Sequence, residues 1–337
     1  MSENVIYALR SGKPNKFANL VRCYAGLAVP DALYRASRER VIAQALERPD
    51  VEYIRQRVDY YMRRASPFQV AADDHYARYK HHILYTGAIG DYRRSMFHTV
   101  YYFDQHDVTR WFPRHYRWNF CPGDVYFSPT EPTIVKSRLL GKAGDNAVIL
   151  KLNKLRHFMF VHDTLPFSQK RDMAIFRGKI RDSRLRTRFL HTHFANPSVD
   201  AGVVGDAEGC PPEWTKPKKT IAQHLEYKFI MAIEGNDVAS NLKWVMSSNS
   251  IAVMTRPTCE TWFMEGSLKP GVHYIEVADD FADLDEKMAY YIAHPQEAQT
   301  IINNAHQYVS QFWDKRRERA VSLMVMDKYF KLSGQSQ

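Results

Sequence analysis

Residues 227–243, YKFIMAIEGNDVASNLK, decide the fold of this chain. An apolar run of strand length, Tyr227 to Ile233, stops at Glu234 and Gly235. Asn236 or Asp237 is then a suitable helix N-cap. Apolar residues follow at helical spacing: Val238, Leu242, Val245 and Met246. The stretch therefore predicts a strand, a turn and a helix of an α/β fold. In such folds, ligands bind at the strand ends, through free backbone N–H groups and helix N-termini.

The length and composition predict two soluble, folded domains. A chain of 337 residues is too long to fold around one compact core. Its content of 45% hydrophobic and 25% charged residues is that of a folded, soluble protein. We expect domains at 1–160 and 161–314, with a last helix, 315–337, that packs back on the first. The cysteines are scattered, which indicates neither a zinc site nor a disulfide framework: Cys23, Cys121, Cys210 and Cys259.

The positive charge lies in the first half of the chain. Residues 1–190 hold 33 Lys and Arg against 18 Asp and Glu, a balance of +15, whereas the whole chain carries +10. Nucleic acid, an anionic membrane surface or a phosphorylated small molecule would each suit this charge, and a solvated basic surface is the alternative. Residues 15–66 in particular predict amphipathic, basic helices that could rest on anionic lipid.

No secretory signal or membrane span is expected from the sequence. Residues 1–25 have basic residues but no continuous apolar core, and no run of about 18 apolar residues occurs. We therefore expect a cytoplasmic protein.

Short apolar runs after residue 80 predict the strands of the first domain: His82–Thr86, His98–Phe103, Asp124–Phe127, Ala147–Leu152 and Phe158–Val161. The second of these runs ends in Asp104, and a carboxylate at a strand end is well placed to face a cleft. Asp107 follows just before an apolar segment, where capping a helix is the expected role.

Two basic segments predict binding sites for phosphates. The proline-punctuated loop 129–138 ends in Lys136 and Arg138. In residues 173–189, MAIFRGKIRDSRLRTRF, a strand from Met173 to Phe176 precedes Arg177, Gly178, Lys179 and Arg181, and a helix begins near Asp182 or Ser183. Amides at a helix start together with guanidinium groups suit a diphosphate. The alternative is an exposed basic run without a ligand.

Further strands are expected at Ile251–Thr255 and 273–277, and helices over 281–330. The order of the elements then predicts that three strand ends bring Arg177 and Gly178, Gly235 and Asp237, and Glu260 to one edge of a parallel sheet.

Four segments together resemble the glycosyltransferases of family 90, which include fungal capsule-associated xylosyltransferases and animal protein O-glucosyltransferases. The segments are FRGK (176–179), YKFIMAIEGNDVASNLKWVMSSNSIAVM (227–254), ETWFMEG (260–266) and LKPGVHYIEV (268–277). The similarity covers about residues 95–330 and is nearest to the bacterial lipopolysaccharide core branch.

This resemblance implies a GT-B fold, in which two Rossmann-like domains face each other across a cleft and the second holds a nucleotide sugar. Here a helical, basic N-terminal region would precede them. The resemblance also implies an inverting, metal-independent transfer from a UDP-hexose, with no cofactor. The general base of the family falls on YYFD, at Asp104, with Asp107 as the open alternative.

The residues expected to bind the donor lie on the loops described above: Arg177, Gly178, Lys179, Arg181, Gly235, Asn236, Asp237, Ser240, Asn241, Lys243 and Glu260. Lys136 and Arg138 are the candidates for binding acceptor phosphates. Where relatives place an arginine in the loop after the central glycine, this chain has Asn241, so that other basic residues must hold the diphosphate.

The chemistry agrees with these assignments. An inverting transfer needs one carboxylate to take the acceptor proton and positive groups or amides to stabilise the leaving diphosphate. The leading hypothesis is therefore a transferase that adds glucose or galactose to the inner-core heptose region of lipopolysaccharide, peripherally at the inner face of the cytoplasmic membrane. A nucleic-acid-binding protein and an inactive sugar-binding relative are the alternatives, although no recognised nucleic-acid module is present.

Overall fold

The computed structural model describes residues 12–79, 81–93, 99–141, 146–180, 183–205 and 209–336. The chain divides into two compact units. The parallel-sheet unit comprises Met1–Asn15, Arg156–Thr258 and Glu265–Gln311, and the mixed-sheet unit comprises Lys16–Leu155, Cys259–Met264 and Phe312–Gln337. Both units combine a sheet with helices, so that the chain is an α/β protein.

The strands of the described residues are, in chain order, β1 His75–Tyr79, β2 His82–Ala88, β3 Arg117–Cys121, β4 Thr133–Val135, β5 Ser137–Leu139, β6 Ala147–Ile149, β7 Arg171–Gly178, β8 Val199–Val203, β9 Tyr227–Met231, β10 Ile251–Met254, β11 Cys259–Thr261 and β12 Ile275–Glu276. The α-helices are α1 Lys16–Leu27, α2 Asp31–Leu46, α3 Val51–Tyr61, α4 Thr99–Thr109, α5 Lys154–His157, α6 Arg184–His193, α7 Ile221–His224, α8 Leu242–Val245, α9 Leu284–Ala293, α10 Pro295–Ser310 and α11 Lys315–Leu332.

The parallel-sheet unit is built on a five-stranded sheet in the order β12-β10-β9-β7-β8, in which every neighbouring pair is parallel. In chain order the first strand is β7; β8 then lies on one side of it, and β9, β10 and β12 lie on the other. All five residues of β9 are buried, as expected for a strand covered on both faces of a parallel sheet. Phe176, Phe229, Val253 and Phe281 belong to one apolar core.

The mixed-sheet unit contains a five-stranded sheet in the order β1-β2-β3-β4-β6. The first three strands are antiparallel, and β3, β4 and β6 are parallel. A separate antiparallel pair joins β5 to β11. Helix α11 packs against α2, α3 and α4. It buries Val321, Val325 and Tyr329 at spacings of four residues, which is the pattern of one helix face.

Most elements around the central stretch are confirmed, with shorter bounds for β9, β10 and β12 and longer ones for β7. The strands expected at 227–233, 251–255 and 273–277 are β9, β10 and β12, and the strand expected at 173–176 is β7. Ser183 is the N-cap of α6, because its Oγ accepts the backbone N–H of Arg186 at 3.3 Å.

The strand predicted at His98–Phe103 is wrong, because this segment enters helix α4. Tyr101, Gln105 and Val108 are buried at spacings of four and three residues, so they form one face of a helix. Asp104 therefore lies inside a helix instead of at a strand end. The N-cap role predicted for Asp107 is also wrong, since Asp107 lies in the last turn of α4.

Three other predictions also differ from the structure. The segments 124–127 and 158–161 are irregular, and their backbone bonds to side chains: the Val125 carbonyl accepts from Ser137 Oγ at 3.0 Å, and the Val161 N–H donates to Ser247 Oγ at 2.9 Å. The helix expected from Asn236 or Asp237 is the single turn α8, which starts only at Leu242.

The described ranges contain neither a candidate membrane-spanning helix nor a candidate metal-binding cluster. None of their helices is both long and apolar enough to cross a membrane. In the same ranges, no three His, Cys, Asp or Glu side chains are grouped closely enough to hold a metal ion.

Candidate active site

The carboxyl ends of β7 and β9 mark the switch point of the parallel sheet, where the order in which successive strands are added reverses. After β7 the chain crosses to β8 on one side, and after β9 it crosses to β10 on the other. In open α/β sheets, ligands bind at such a switch point because the two departing loops separate there. Gly178 ends β7, and Gly235 follows β9. Two of the predicted donor loops therefore meet at this edge.

Arg186, in the first turn of α6, ties the two loops together. Its guanidinium donates to the Lys179 carbonyl at 2.7 Å and to the Ile233 carbonyl at 2.9 and 3.1 Å. A Cβ on Gly235 would lie 3.0 Å from Arg186 Nη2, so that a side chain there would press on the guanidinium. Ser183 Oγ adds a hydrogen bond to the Glu234 carbonyl at 3.0 Å. These hydrogen bonds therefore hold the loops after β7 and β9 in fixed positions relative to each other.

Arg177 is held by the sheet itself. Its guanidinium pairs with Asp200 at 2.6 Å and donates to the Asp200 carbonyl at 2.7 Å, and its side chain is only 6% exposed. Asp200 also accepts from Tyr227 Oη at 2.7 Å. Although burial acts to raise the pKa of Asp200, these donors hold it below its ordinary value. Arg177 therefore braces the β7–β8 pair.

The other predicted donor residues differ in how accessible they are. Lys179 and Asn236 are exposed, and Ser240 is half-buried. Asn241 donates to the Met231 carbonyl at 3.0 Å, which holds its loop on the end of β9. Asp237 is buried, and Lys243 is fully buried in an ion pair with Glu265. Arg181 lies outside the described residues. Lys179 is thus the accessible cation among the described members of the set.

The carboxylate of Asp104 lies against the single turn α5. Its Oδ2 accepts the backbone N–H of Lys154 at 2.9 Å. Burial raises the pKa of Asp104 to about 6, and the positive charge of Lys154 opposes part of this shift. A carboxylate with this pKa is mostly ionised at neutral pH but takes up a proton more readily than an exposed one, which suits a general base.

Asp107 has the opposite shift. Its carboxylate pairs with Lys154 Nζ at 2.8 Å and is more exposed. Burial acts to raise the pKa of Asp107, but the ammonium of Lys154 outweighs it and holds the pKa below its ordinary value. The pKa values of two carboxylates on one helix are therefore shifted in opposite directions, because burial outweighs the charge of Lys154 at Asp104 but not at Asp107. Such a difference is common for groups with different chemical roles.

Comparison with known proteins identifies the family. The model of glycosyl transferase family 90 matches residues 146–334, which is more than half of the chain. The chain belongs to glycosyl transferase family 90. The resemblance in the four segments is thereby confirmed, and the chain is a glycosyltransferase. The match covers the switch point but begins after α4, so that the role of Asp104 stays a prediction.

Individual relatives agree with this family. "O-glucosyltransferase LpsA" of Dichelobacter nodosus is 41% identical over 232 residues, which are 69% of this chain and 72% of the relative. "O-glucosyltransferase rumi" of Drosophila pseudoobscura pseudoobscura is 22% identical over 50% of this chain and 42% of its own length. "Protein O-glucosyltransferase 1" of Rattus norvegicus is 26% identical over 43% of this chain and 38% of its own length.

Glu260 does not lie where the sequence placed it in this family 90 chain. It belongs to β11, which pairs with β5 in the mixed-sheet unit instead of extending the parallel sheet. Its fully buried carboxylate accepts from Arg138 Nε and Arg63 Nη2, both at 2.8 Å, and from the Tyr60 hydroxyl. The expectation that three strand ends meet at one edge is therefore wrong for Glu260.

Lys136 and Arg138 are also inside the mixed-sheet unit, not on an exposed loop. Lys136 is buried in an ion pair with Asp124. Arg138 is fully buried, pairs with Glu260 and donates to the Tyr60, Tyr61 and Ala147 carbonyls. An acceptor phosphate would have to displace these partners, and buried charges without partners are costly.

Arg186 is the site residue that the sequence analysis missed. It lies in the basic run 173–189 but three residues after the N-cap, where its charge opposes the helix dipole. An arginine in the first turn of a helix therefore needs a compensating partner. That mismatch is the signal that could have identified it.

Proposed function

We propose that this glycosyltransferase moves a hexose from a UDP-sugar to the inner-core heptose region of lipopolysaccharide. The observation that carries the proposal is the braced switch point of the parallel sheet, with exposed Lys179 beside it, in a chain of family 90. The name of the Dichelobacter relative, O-glucosyltransferase LpsA, favours glucose and a lipopolysaccharide acceptor. Galactose stays the alternative donor sugar.

The proposed reaction is a direct, inverting displacement. Asp104 takes the proton from the acceptor hydroxyl, the hydroxyl oxygen attacks the anomeric carbon, and the bond from that carbon to the UDP oxygen breaks. The electron pair leaves with the diphosphate. Lys179 and backbone amides at the switch point would stabilise the leaving charge without a metal ion, and Arg186 would keep the two loops in register.

The proposal also covers the domain arrangement of the enzyme and the place where it works. The two units are taken as the domains of a GT-B transferase, as the resemblance implies. The acceptor of such an enzyme is lipid-linked and phosphorylated, so that the enzyme would work peripherally at an anionic membrane surface on its cytoplasmic side.

The experiment is a transfer assay with purified chain. UDP-glucose, UDP-galactose and UDP-N-acetylglucosamine are each incubated with lipopolysaccharide truncated at the inner core, with and without EDTA. We expect UDP release with a UDP-hexose, unchanged by EDTA, and a product whose anomeric configuration is inverted when read by NMR. A retained configuration would contradict the mechanism. Absence of transfer from all three donors would contradict the function, and would favour a sugar-binding relative if UDP-hexose still bound.

A further inference from the structure

Helix α1 carries its apolar stripe on the outside of the protein. Its large apolar residues recur at spacings of three and four: Phe17, Leu20, Val21, Tyr24 and Leu27. Phe17 is 74% exposed and Val21 52%, and the other three are at least 36% exposed. At about 100° per residue these five positions span roughly a third of the helix circumference. The outward side of α1 is therefore a continuous apolar surface.

Apart from the Tyr24 ring, one edge of which contacts Phe103 of α4, the side of α1 that faces the protein is small and polar. Asn19, Cys23 and Gly26 are its partly buried residues, and Asn19 Nδ2 donates to Cys23 Sγ at 3.7 Å. The Gly26 carbonyl accepts from Arg110 Nη1 at 3.0 Å. A surface helix of a globular protein normally turns its apolar stripe toward the core. Helix α1 instead turns its apolar stripe away from the core. This orientation is expected when another apolar medium, outside the protein, covers the stripe.

The charge around α1 indicates what that phase is. From Asn4 to Pro30 the sequence has no Asp or Glu, while Arg10, Lys13, Lys16 and Arg22 give it four basic residues. Lys16 and Arg22 belong to α1 and lie outside its stripe. A helix with an apolar face, basic flanks and no acid is the pattern of segments that lie in the plane of an anionic membrane. Lysine and arginine stems can also extend along such a surface to reach lipid phosphates.

We propose that α1 is an in-plane membrane anchor, whose apolar stripe inserts at the boundary between the headgroups and acyl chains of an anionic lipid surface. The proposal deepens the proposed function, on which it rests for the idea that the acceptor is lipid-linked. It assigns membrane attachment to one helix instead of to the basic half of the chain as a whole.

Helix α1 is also connected to the helix that carries the candidate base. The Tyr24 ring packs edge-on against Phe103 of α4, with centroids 5.2 Å apart. Arg110, just after α4, donates to the carbonyls of Gly26 and Val29 and pairs with Asp31 at 2.8 Å. Burial raises the pKa of Cys23 on α1, and the nearby carboxylates of Asp104 and Asp107 raise it further. Docking of α1 would therefore hold Asp104 near the lipid surface from which the acceptor projects.

The test measures binding of the full chain to vesicles by flotation, without any substrate. The vesicles contain phosphatidylcholine alone or about one third phosphatidylglycerol. Leu20→Ser/Val21→Ser should lower the partition coefficient for anionic vesicles by about 10- to 100-fold, because two inserted side chains are lost. Lys16→Gln/Arg22→Gln should lower it by about 10-fold on anionic vesicles and leave the weak binding to neutral vesicles unchanged.

The matched control is Gln296→Ser/Gln299→Ser, two exposed positions on α10. We expect this variant to bind vesicles like the unmodified protein. Hydrogen exchange then locates the contact, since vesicles should slow exchange in peptides covering 16–27 and not in those covering 295–310. Equal binding by the Leu20/Val21 variant, or protection elsewhere with none in 16–27, would overturn the proposal. Concentration-dependent dimerisation lost in the Leu20/Val21 variant, without vesicle binding, would assign the stripe to a second copy instead.

Failure of this inference and failure of the proposed function are distinguishable. Vesicle binding requires no donor or acceptor, so that an inactive or differently specific enzyme would still show it. In active protein, the ratio of turnover on vesicle-embedded acceptor to turnover on delipidated acceptor should fall at least about 10-fold in the Leu20→Ser/Val21→Ser variant. An unchanged ratio would contradict the role of α1 in presenting the acceptor.

Discussion

Two basic segments, residues 136–138 and 177–186, look alike in the sequence and have different roles in the fold. Arg138 lies in the core of the mixed-sheet unit, where Glu260 neutralises it and three carbonyls accept its hydrogen bonds. Residues 177–180 and 183–186 lie at the carboxyl edge of a parallel sheet, where Lys179 is exposed and Arg186 joins two loops. Position relative to the sheet therefore distinguishes a structural arginine from the segment that we propose binds the donor.

The two segments also differ in what neutralises their charge. The mixed-sheet unit matches its buried cations with carboxylates, as in the Arg57–Glu318 and Lys151–Glu318 pairs. In segment 177–186, Arg177 is also paired with a carboxylate, that of Asp200, but Arg186 donates to the Lys179 and Ile233 carbonyls. A guanidinium bonded to carbonyls keeps its full positive charge. The switch point can therefore attract a diphosphate, whereas segment 136–138 cannot do so without breaking its ion pairs.

The largest expected effect tests whether the mixed-sheet unit takes part in catalysis through Asp104 and not through segment 136–138. Asp104→Asn removes the proton acceptor, so turnover should fall by about 10²- to 10⁴-fold while UDP-sugar affinity stays near that of the unmodified enzyme. Asp107→Asn is the matched control on the same helix, and it should retain most activity. Exchanged phenotypes would move the base to Asp107.

Stability distinguishes a catalytic role of Asp104 from a structural one. The pKa of Asp104 is raised in the folded state to about 6 from 3.8, so its charge opposes folding as pH rises through this interval. Asp104→Asn should therefore unfold at a temperature at least equal to that of the unmodified protein at pH 7. A lower unfolding temperature would show that the carboxylate supports the fold.

The next effect compares the stability contribution of the buried Arg138 in segment 136–138 with that of an exposed arginine. Arg138→Ala leaves the buried Glu260 carboxylate without its fully buried partner and should lower the free energy of unfolding by about 3 to 5 kcal/mol. Arg55→Ala, which removes an exposed ion pair with Glu52, should change it by less than about 1 kcal/mol. Urea unfolding measures both. A small loss for Arg138→Ala would place this arginine among ordinary surface charges.

A smaller effect concerns UDP affinity at the switch point. Lys179→Ala should weaken UDP binding by about 1.5 to 3 kcal/mol, the range for a bond to a charged group, and leave stability unchanged. Arg177→Ala should weaken UDP binding and also lower stability, since Asp200 loses its guanidinium partner. Calorimetric titration with UDP gives both affinities. Unchanged UDP affinity in folded Lys179→Ala would remove this residue from the donor site.

The smallest effect is a pH dependence. If Asp104 must be ionised to act, kcat/KM should fall about tenfold for each pH unit below a pKa of about 6, and level off above it. The measurement is a pH profile of kcat/KM at constant ionic strength. A profile that is flat down to pH 5 would exclude a base with this pKa.

Much of the parallel-sheet unit could be predicted from the sequence. The centre of β7 and all of β9 and β10 are buried, so they appear as apolar runs in the sequence, and Ser183 is a typical N-cap. Helix α4 was mistaken for a strand because residues 98–103, HTVYYF, are rich in β-formers. The helix is evident from the burial of Tyr101, Gln105 and Val108 on one face. This burial results from tertiary packing and cannot be read from the sequence.

The candidate site was harder to predict than the fold. Glycines and basic residues near the ends of β7 and β9 were identified from local pattern, but Arg186 acts through contacts to two loops distant in sequence. Glu260 and Arg138 are charged residues in a buried antiparallel pair, and sequence alone does not distinguish them from exposed ones. Burial of a charge depends on its partner, which only the fold supplies.

Hydrogen exchange of the chain with and without saturating UDP tests the central claim most directly. If the donor binds at the switch point, UDP should slow exchange in residues 177–180 and 232–237, the segments that Arg186 joins. Exchange in residues 133–139 should not change, because their charges are already matched inside the mixed-sheet unit. Protection confined to residues 133–139, with none at the ends of β7 and β9, would contradict the account.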